Sequence, residues 1–286
     1  MAISLPDQTG RTALVTGANT GIGLVTALEL ARAGARVHLA CRSEDKANAA
    51  MESIRAEVPE ADIAFLKLDL GSLAAVRESA EAFLATGEPL HLLINNAGLV
   101  ARDLSEDGFE RTMAVNHIGH FLLTDLLKPR LLASAPARVV VVASRAHKRT
   151  DGIEYEKIHE PARSPTGFSE YSQSKLANVL FALGLAKRLE GTGVTTYAVH
   201  PGVIASDIWR DVPGPVRWVM KLFMNTTEDG ARTQLYCATE PSIAEHSGRY
   251  YEESKEKKAS PLGRDLAAAQ RLWQETEAWI AEAAAR

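Results

Sequence analysis

The sequence predicts an α/β protein with one Rossmann-type domain, a doubly wound parallel sheet of about seven strands with helices on both faces. Three observations carry this prediction. Short apolar runs rich in Val, Ile and Leu recur along the chain, separated by helix-length tracts, as in a parallel sheet buried on both sides. The first run, Ala13-Leu14-Val15-Thr16, enters a glycine-rich turn, Gly17 to Gly23, and an amphipathic pattern begins at once. No repeat or low-complexity tract divides the 286 residues, so a single domain over 1–286 is the economical division.

Each element follows in order. The helix after the turn should stop near Ala33-Gly34, glycine being a common helix terminator. Val37 to Ala40 reads as a second strand closing on Cys41-Arg42, Asp45 to Val58 as a helix, and Ile63 to Leu68 as a third strand ending at Asp69. Residues 72–86 read as a helix, and His91 to Ile94 as a strand stopping at Asn95-Asn96-Ala97-Gly98. A long helical tract over 108–133 precedes the strand Arg138 to Val142. A catalytic-helix candidate spans Tyr171 to Leu189, a further helix 227–239, a last strand Gly248 to Tyr251, and a terminal helix about 263–284 with Leu272, Trp273 and Ile280 on its packing face.

Composition narrows the function classes. A net charge of −4 without a long like-charge run argues against a nucleic-acid surface. Lys255-Glu256-Lys257-Lys258 reads as a solvated surface segment. Two cysteines, Cys41 and Cys237, give neither a disulfide framework nor a ligand cluster. No apolar run approaches the roughly 18 residues of a membrane span, and no signal peptide precedes the turn. The expectation is a soluble, cytoplasmic protein with no integral membrane segment.

The turn Gly17-Ala18-Asn19-Thr20-Gly21-Ile22-Gly23 has the spacing Gly-x3-Gly-x-Gly. Glycines allow close backbone approach, and the helix N-terminus favours a pyrophosphate. At the end of the second strand, where a carboxylate would select NAD, the chain has Cys41 and then Arg42. Arg42 can grip a 2′-phosphate, so NADP(H) is the expected cofactor. Asp69, followed by Leu70, either accepts from the adenine amino group or caps the helix starting near Ser72.

Tyr171 and Lys175 are four residues apart, on one helical face. A phenol titrates too high to exchange protons well at neutral pH, and a nearby ammonium lowers that value. Ser144 closes the fifth strand at the carboxyl edge of the sheet and could hold a substrate carbonyl beside the phenol. A second Tyr-x3-Lys, Tyr251 and Lys255, falls in a polar stretch and reads as chance.

With these residues in order the chain resembles the short-chain dehydrogenase/reductase family over nearly its whole length. The resemblance rests on the glycine turn, Asp69, Asn95-Asn96-Ala97-Gly98, Asn116, Ser144, Tyr171 with Lys175, and Pro201-Gly202. It implies Tyr171 as general acid/base, Lys175 on the nicotinamide ribose and Ser144 on the carbonyl. Asn116 would complete a water-linked proton relay, and Pro201, Gly202, Val203 and Ser206 would line the nicotinamide. Leu39-Ala40-Cys41-Arg42, Asn116-His117-Ile118-Gly119-His120-Phe121 and Val199-His200-Pro201-Gly202 are similar to the retinol-dehydrogenase-like branch, whose members commonly use NADP(H). Many animal relatives carry a hydrophobic anchor ahead of the turn. Here about ten residues of mixed polarity precede it, and Ala143 and Arg145 flank Ser144 where serines are more usual. The resemblance also implies a homodimer or homotetramer.

Residues 145–170 form a long charged connection, and 203–227 an apolar segment with Trp209, Trp218 and Met224 broken by Pro213-Gly214-Pro215. An apolar cover suggests a lipophilic carbonyl or alcohol as substrate, though the same residues could pack on the core or on a partner subunit. His147, His159 and His200 lack ligand spacing, so no metal is expected. The reaction expected is carbonyl–alcohol interconversion by hydride transfer. The rivals are a protochlorophyllide reductase-like NADPH enzyme and an idle nucleotide-binding scaffold of the same fold.

Overall fold

Buried runs of Val, Leu and Ile assemble an eight-stranded sheet in the order β3-β2-β1-β4-β5-β6-β7-β8. The computed structural model describes residues 3–202 and 226–285. The strands are β1 (Thr12–Thr16), β2 (Arg36–Cys41), β3 (Ile63–Lys67), β4 (Leu92–Asn95), β5 (Ala137–Val142), β6 (Val194–His200), β7 (Arg249–Glu252) and β8 (Lys255–Lys257). Strands β1 to β7 are mutually parallel, and β8 returns antiparallel to β7. Two features depart from the sequence reading. The element-by-element reading names no strand at Val194–His200, and the supposed surface segment 255–258 supplies an eighth strand whose three residues are all exposed.

Helices α1 (Gly21–Arg32), α2 (Glu44–Glu57) and α7 (Thr227–Thr239) belong to the layer on one face of the sheet. Helices α3 (Leu73–Ala85), α5 (Gly119–Ala133), α6 (Phe168–Arg188) and α8 (Leu266–Ala284) pack on the other. Their starts are set by side chains that satisfy orphan N–H groups. Ser43 Oγ accepts from Lys46 N, and Asp265 Oδ1 accepts from Ala267 N at 2.8 Å. At α3 the Ser72 hydroxyl is the cap and Asp107 Oδ2 accepts from Leu73 N at 2.8 Å. Asp69 therefore does not cap that helix; its Oδ1 accepts from Gly71 N at 2.9 Å within its own turn.

The tract expected as one helix over 108–133 is three pieces: the short α4 (Arg111–Met113), a π-helical turn Ala114–Ile118, and α5. In the π turn Gly119 N reaches back five residues to Ala114 O. The connection 145–170 holds two 3₁₀ turns, Arg145–Arg149 and Tyr155–Lys157. The terminal helix begins at Leu266, after a 3₁₀ turn Leu262–Arg264, and buries Leu272, Trp273 and Ile280 as expected. Tyr251 is buried on β7 and Lys255 exposed on β8, so that Tyr-x3-Lys spacing spans a hairpin rather than a helical turn.

The topology fixes where a ligand goes. Strand β1 is followed in the chain by β2 on one side and borders β4 on the other, so the connections diverge there and leave a crevice beyond the strands' carboxyl ends. Among the described residues no helix is long and apolar enough to cross a membrane.

Candidate active site

The glycine turn leaves β1 at that crevice. Gly17 and Gly21 have φ of +66° and +58°, a region costly for residues with a Cβ. Their surroundings differ. A Cβ on Gly23 would sit 2.4 Å from Gly17 O, so this glycine exists for packing. A Cβ on Gly21 would meet nothing within 4 Å, so this glycine faces open space. Thr20 is the extended residue before α1 and makes no side-chain cap, which leaves the first N–H groups of the helix without that partner. Ile22 and Asn19 are half-buried beside it. These residues form a cradle that fits a dinucleotide pyrophosphate.

The opposite wall is Asn96-Ala97-Gly98 after β4. Thr16 Oγ1 accepts from Asn96 N at 2.9 Å and from Ala97 N at 3.0 Å, while Asn96 Nδ2 donates to Thr16 O at 2.8 Å. Arg42 is exposed at the end of β2, next to buried Cys41, whose thiol burial pushes up to about 11. That thiol is unsuited to ionise near neutrality. Asp69 is half-buried at the end of β3 and keeps Oδ2 free of its local turn; Leu70 is buried beside it, its carbonyl against Gly119.

Ser144 follows the end of β5. Its Oγ accepts from Ala146 N at 3.2 Å, and its hydroxyl neighbours the Tyr171 phenol. Its carbonyl accepts from His147 Nδ1 at 2.6 Å, and His147 Nε2 accepts from Ser260 N at 3.0 Å. Helix α6 places Lys175 one turn beyond Tyr171, buried, with Nζ donating to Val142 O at 3.0 Å and lying 5.5 Å from the phenol ring centroid. Asn178 Nδ2 donates to the same carbonyl at 3.0 Å. Burial pushes Lys175 down to about 8. Burial also moves the Tyr171 phenol above its ordinary value, opposed by the Ser144 hydrogen bond. From the sequence, Lys175 is expected to lower that phenol; in this arrangement the opposing group is Ser144.

Asn116 sits in the π turn. Its Oδ1 accepts from Leu99 N at 2.9 Å, and its Nδ2 donates to Leu99 O and to Ser174 Oγ, both at 3.0 Å. A Cβ on Gly98 would lie 3.3 Å from Asn116 Oδ1 and 3.4 Å from Lys175 Nζ, so the Asn96 wall, the π turn and α6 converge there. Pro201 and Gly202, the latter with φ +97°, follow β6, and His200 before them is buried. Val203 and Ser206 lie outside the described residues, as does nearly all of the 203–227 segment.

Several site residues had no sequence signal strong enough to name them. Thr16 and His147 act through backbone groups that only the fold brings near. Asn178, seven residues after Tyr171, did share its helical face. Arg145 pairs with Glu252 across the end of the sheet, which accounts for an arginine beside Ser144. Among the described residues no three His, Cys, Asp or Glu side chains converge as metal ligands.

The arrangement can hold a nucleotide across the β1–β4 crevice and present a phenol–hydroxyl pair with an adjacent amine to a bound substrate. Comparison with known proteins shows which proteins the chain is similar to. The family profile described as short chain dehydrogenase matches residues 11–156. The chain is 48% identical over 274 residues to dehydrogenase/reductase SDR family member 13 of Bos taurus, covering 93% of this chain and 72% of that protein. It is 47% identical over 268 residues to human retinol dehydrogenase 12, covering 92% and 84%. A crystal structure of an uncharacterized protein from Mycobacterium paratuberculosis superposes with a TM-score of 0.79 at 34% identity, covering 97% of this chain and 96% of that one.

Proposed function

The chain belongs to the short-chain dehydrogenase family, and from that premise we propose that it is an NADP(H)-dependent oxidoreductase interconverting a lipophilic aldehyde or ketone and its alcohol. The observation that carries the reading is the Tyr171 phenol beside the Ser144 hydroxyl, one helical turn from buried Lys175. Exposed Arg42 beside Cys41 supports the choice of NADP(H), since no carboxylate there repels a 2′-phosphate. Similarity to retinol dehydrogenase 12 supports an apolar carbonyl substrate. Two buried free cysteines suit a reducing compartment, and the cytoplasm is the proposed location.

When bound, the reduced nicotinamide supplies the hydride to the carbonyl carbon. The protein's own groups do the rest. Ser144 Oγ holds the substrate oxygen, and Tyr171 gives that oxygen its phenolic proton as negative charge develops. Lys175 keeps one N–H on Val142 O, and its remaining N–H groups would hold the ribose hydroxyls and steady the phenolate that forms on Tyr171. Oxidation runs the same steps backwards, Tyr171 receiving the alcohol proton.

Fluorescence titration of NADPH and NADH with wild type and Arg42→Ala tests the reading without knowledge of the substrate. NADPH should bind at least about tenfold tighter, a difference of roughly 1.4 kcal/mol, and Arg42→Ala should erase the preference. Equal or tighter NADH binding would show that Arg42 is not the selector. Binding of neither nucleotide would remove the enzyme assignment, and tight NADPH binding without turnover on a broad carbonyl panel would favour an idle nucleotide-binding protein.

A further inference from the structure

We propose that His120 is the positioning residue of this site, holding the cofactor wall through its Nε2 acceptor and the Asn116 segment through its Nδ1–H. The proposal rests on the nicotinamide-dependent reading above, to which it adds a residue that need touch neither nucleotide nor substrate.

His120 is fully buried at the start of α5. Its Nδ1 lies 3.1 Å from the backbone oxygen of Asn116, a group that can only accept, so Nδ1 carries the hydrogen. The ring is neutral, burial pushing it down to about 4, so Nε2 carries a lone pair. Thr16 Oγ1 lies 2.8 Å from that lone pair. A hydroxyl has one proton and two acceptor sites. Both acceptor sites of Thr16 are taken by Asn96 N–H and Ala97 N–H, at 2.9 and 3.0 Å. Its proton therefore goes to His120 Nε2, the shorter contact, rather than to Ile94 O at 3.3 Å. The Asn96 N–H is shared with Ile94 O, also at 2.9 Å, which leaves the Thr16 hydroxyl proton for His120 Nε2.

The opposite tautomer fails twice. It would aim an N–H at an oxygen whose lone pairs are occupied and a lone pair at the Asn116 carbonyl. With the correct tautomer one ring joins two sets of residues. On one side are Thr16 and the Asn96-Ala97 wall of the nucleotide crevice. On the other is Asn116, whose side chain grips Leu99 and Ser174, and the Ser174 hydroxyl donates to Tyr171 O at 2.8 Å. Only the Nε2 side bears on nucleotide affinity directly, and only the Nδ1 side bears on the alignment of Tyr171.

Two substitutions separate the sides. Asn at this position can keep a donor near Nδ1 but has nothing at Nε2; Gln can reach the Nε2 place but leaves Nδ1 empty. The experiment measures NADPH affinity, kcat on a carbonyl panel and thermal stability for wild type, His120→Asn and His120→Gln. The ring-nitrogen NMR spectrum of histidine-labelled wild type and Thr16→Val is recorded alongside. His120→Asn should weaken NADPH about tenfold with the smaller loss in kcat, and His120→Gln should lower kcat about tenfold with the smaller loss in affinity. Wild-type His120 should show hydrogen on Nδ1 only, with the Nε2 resonance moving in Thr16→Val. Parallel loss of affinity, kcat and stability in both variants would mean a merely structural histidine and overturn the proposal, as would hydrogen on Nε2. If wild type binds neither nucleotide, the functional reading falls while the ring-nitrogen spectrum still decides the tautomer.

Discussion

Lys175 is charged, buried and committed to a carbonyl, and its titration should be visible in catalysis. Its pKa is lowered to about 8, so the ammonium present at neutral pH is lost as pH rises through that value. The ratio kcat/KM for NADPH reports the free enzyme, and it should fall above about pH 8; a profile flat to pH 9.5 would separate Lys175 from the reaction. Tyr171→Phe removes the proton that the proposed reaction transfers and should cut carbonyl reduction by about a hundredfold or more while NADPH still binds. At this scale the sequence was partly legible. Tyr171 and Lys175 announce themselves by helical spacing, and Ser144 by its place after an apolar run. Thr16 and His120 do not, because they meet across 104 residues and their pairing depends on which ring nitrogen is protonated.

Among the elements, the glycine turn yields the sharpest contrast. Gly21→Ala places a methyl in open space at φ +58°, so it should cost on the order of 1 kcal/mol in stability while abolishing nucleotide binding. Gly23→Ala drives a methyl to 2.4 Å from a backbone oxygen and should destabilise the fold itself, seen as a lower melting temperature without ligand. If the two variants behaved alike, the division into one cradle glycine and one packing glycine would be wrong. Helices and most buried strands are legible because period and burial agree in them; β6 is the exception, Thr195-Thr196-Tyr197 interrupting its apolar run. The π turn within 108–133 is not, since a one-residue slip in the ladder leaves the apolar pattern almost unchanged. Strand β8 has the composition Lys-Glu-Lys and no buried face, so no alternation marks it. Asp69 illustrates a local ambiguity. Both an adenine contact and a cap suit an aspartate there, and only the positions of Ser72 and Asp107 decide against the cap.

For the whole molecule, buried histidines set the acid limit. Burial lowers His117 to about 3 and His120 and His200 to about 4. The unfolded chain takes up these protons near its ordinary value of about 6.5, so between roughly pH 6.5 and 4 it binds more protons than the folded protein. Stability is then full above about pH 6.5 and declines as pH falls, on the order of 1 kcal/mol per pH unit for each histidine. Denaturant unfolding at pH 7, 5.5 and 4.5 should show this slope, and a pH-independent midpoint over that range would contradict it.

The order of the strands also has a consequence in time. β1 lies inside the sheet, yet its two neighbours are made far apart: Ala13 pairs with Val37 on one side and with Leu92 on the other. β3-β2-β1 can form once residue 67 has emerged, but β4 is finished only at residue 95. Such long-range pairing is slow, and an unpaired strand edge recruits wrong partners. For a chain leaving the ribosome, the hazardous interval is the making of residues 68 to 95, when what will be an interior strand is still an edge.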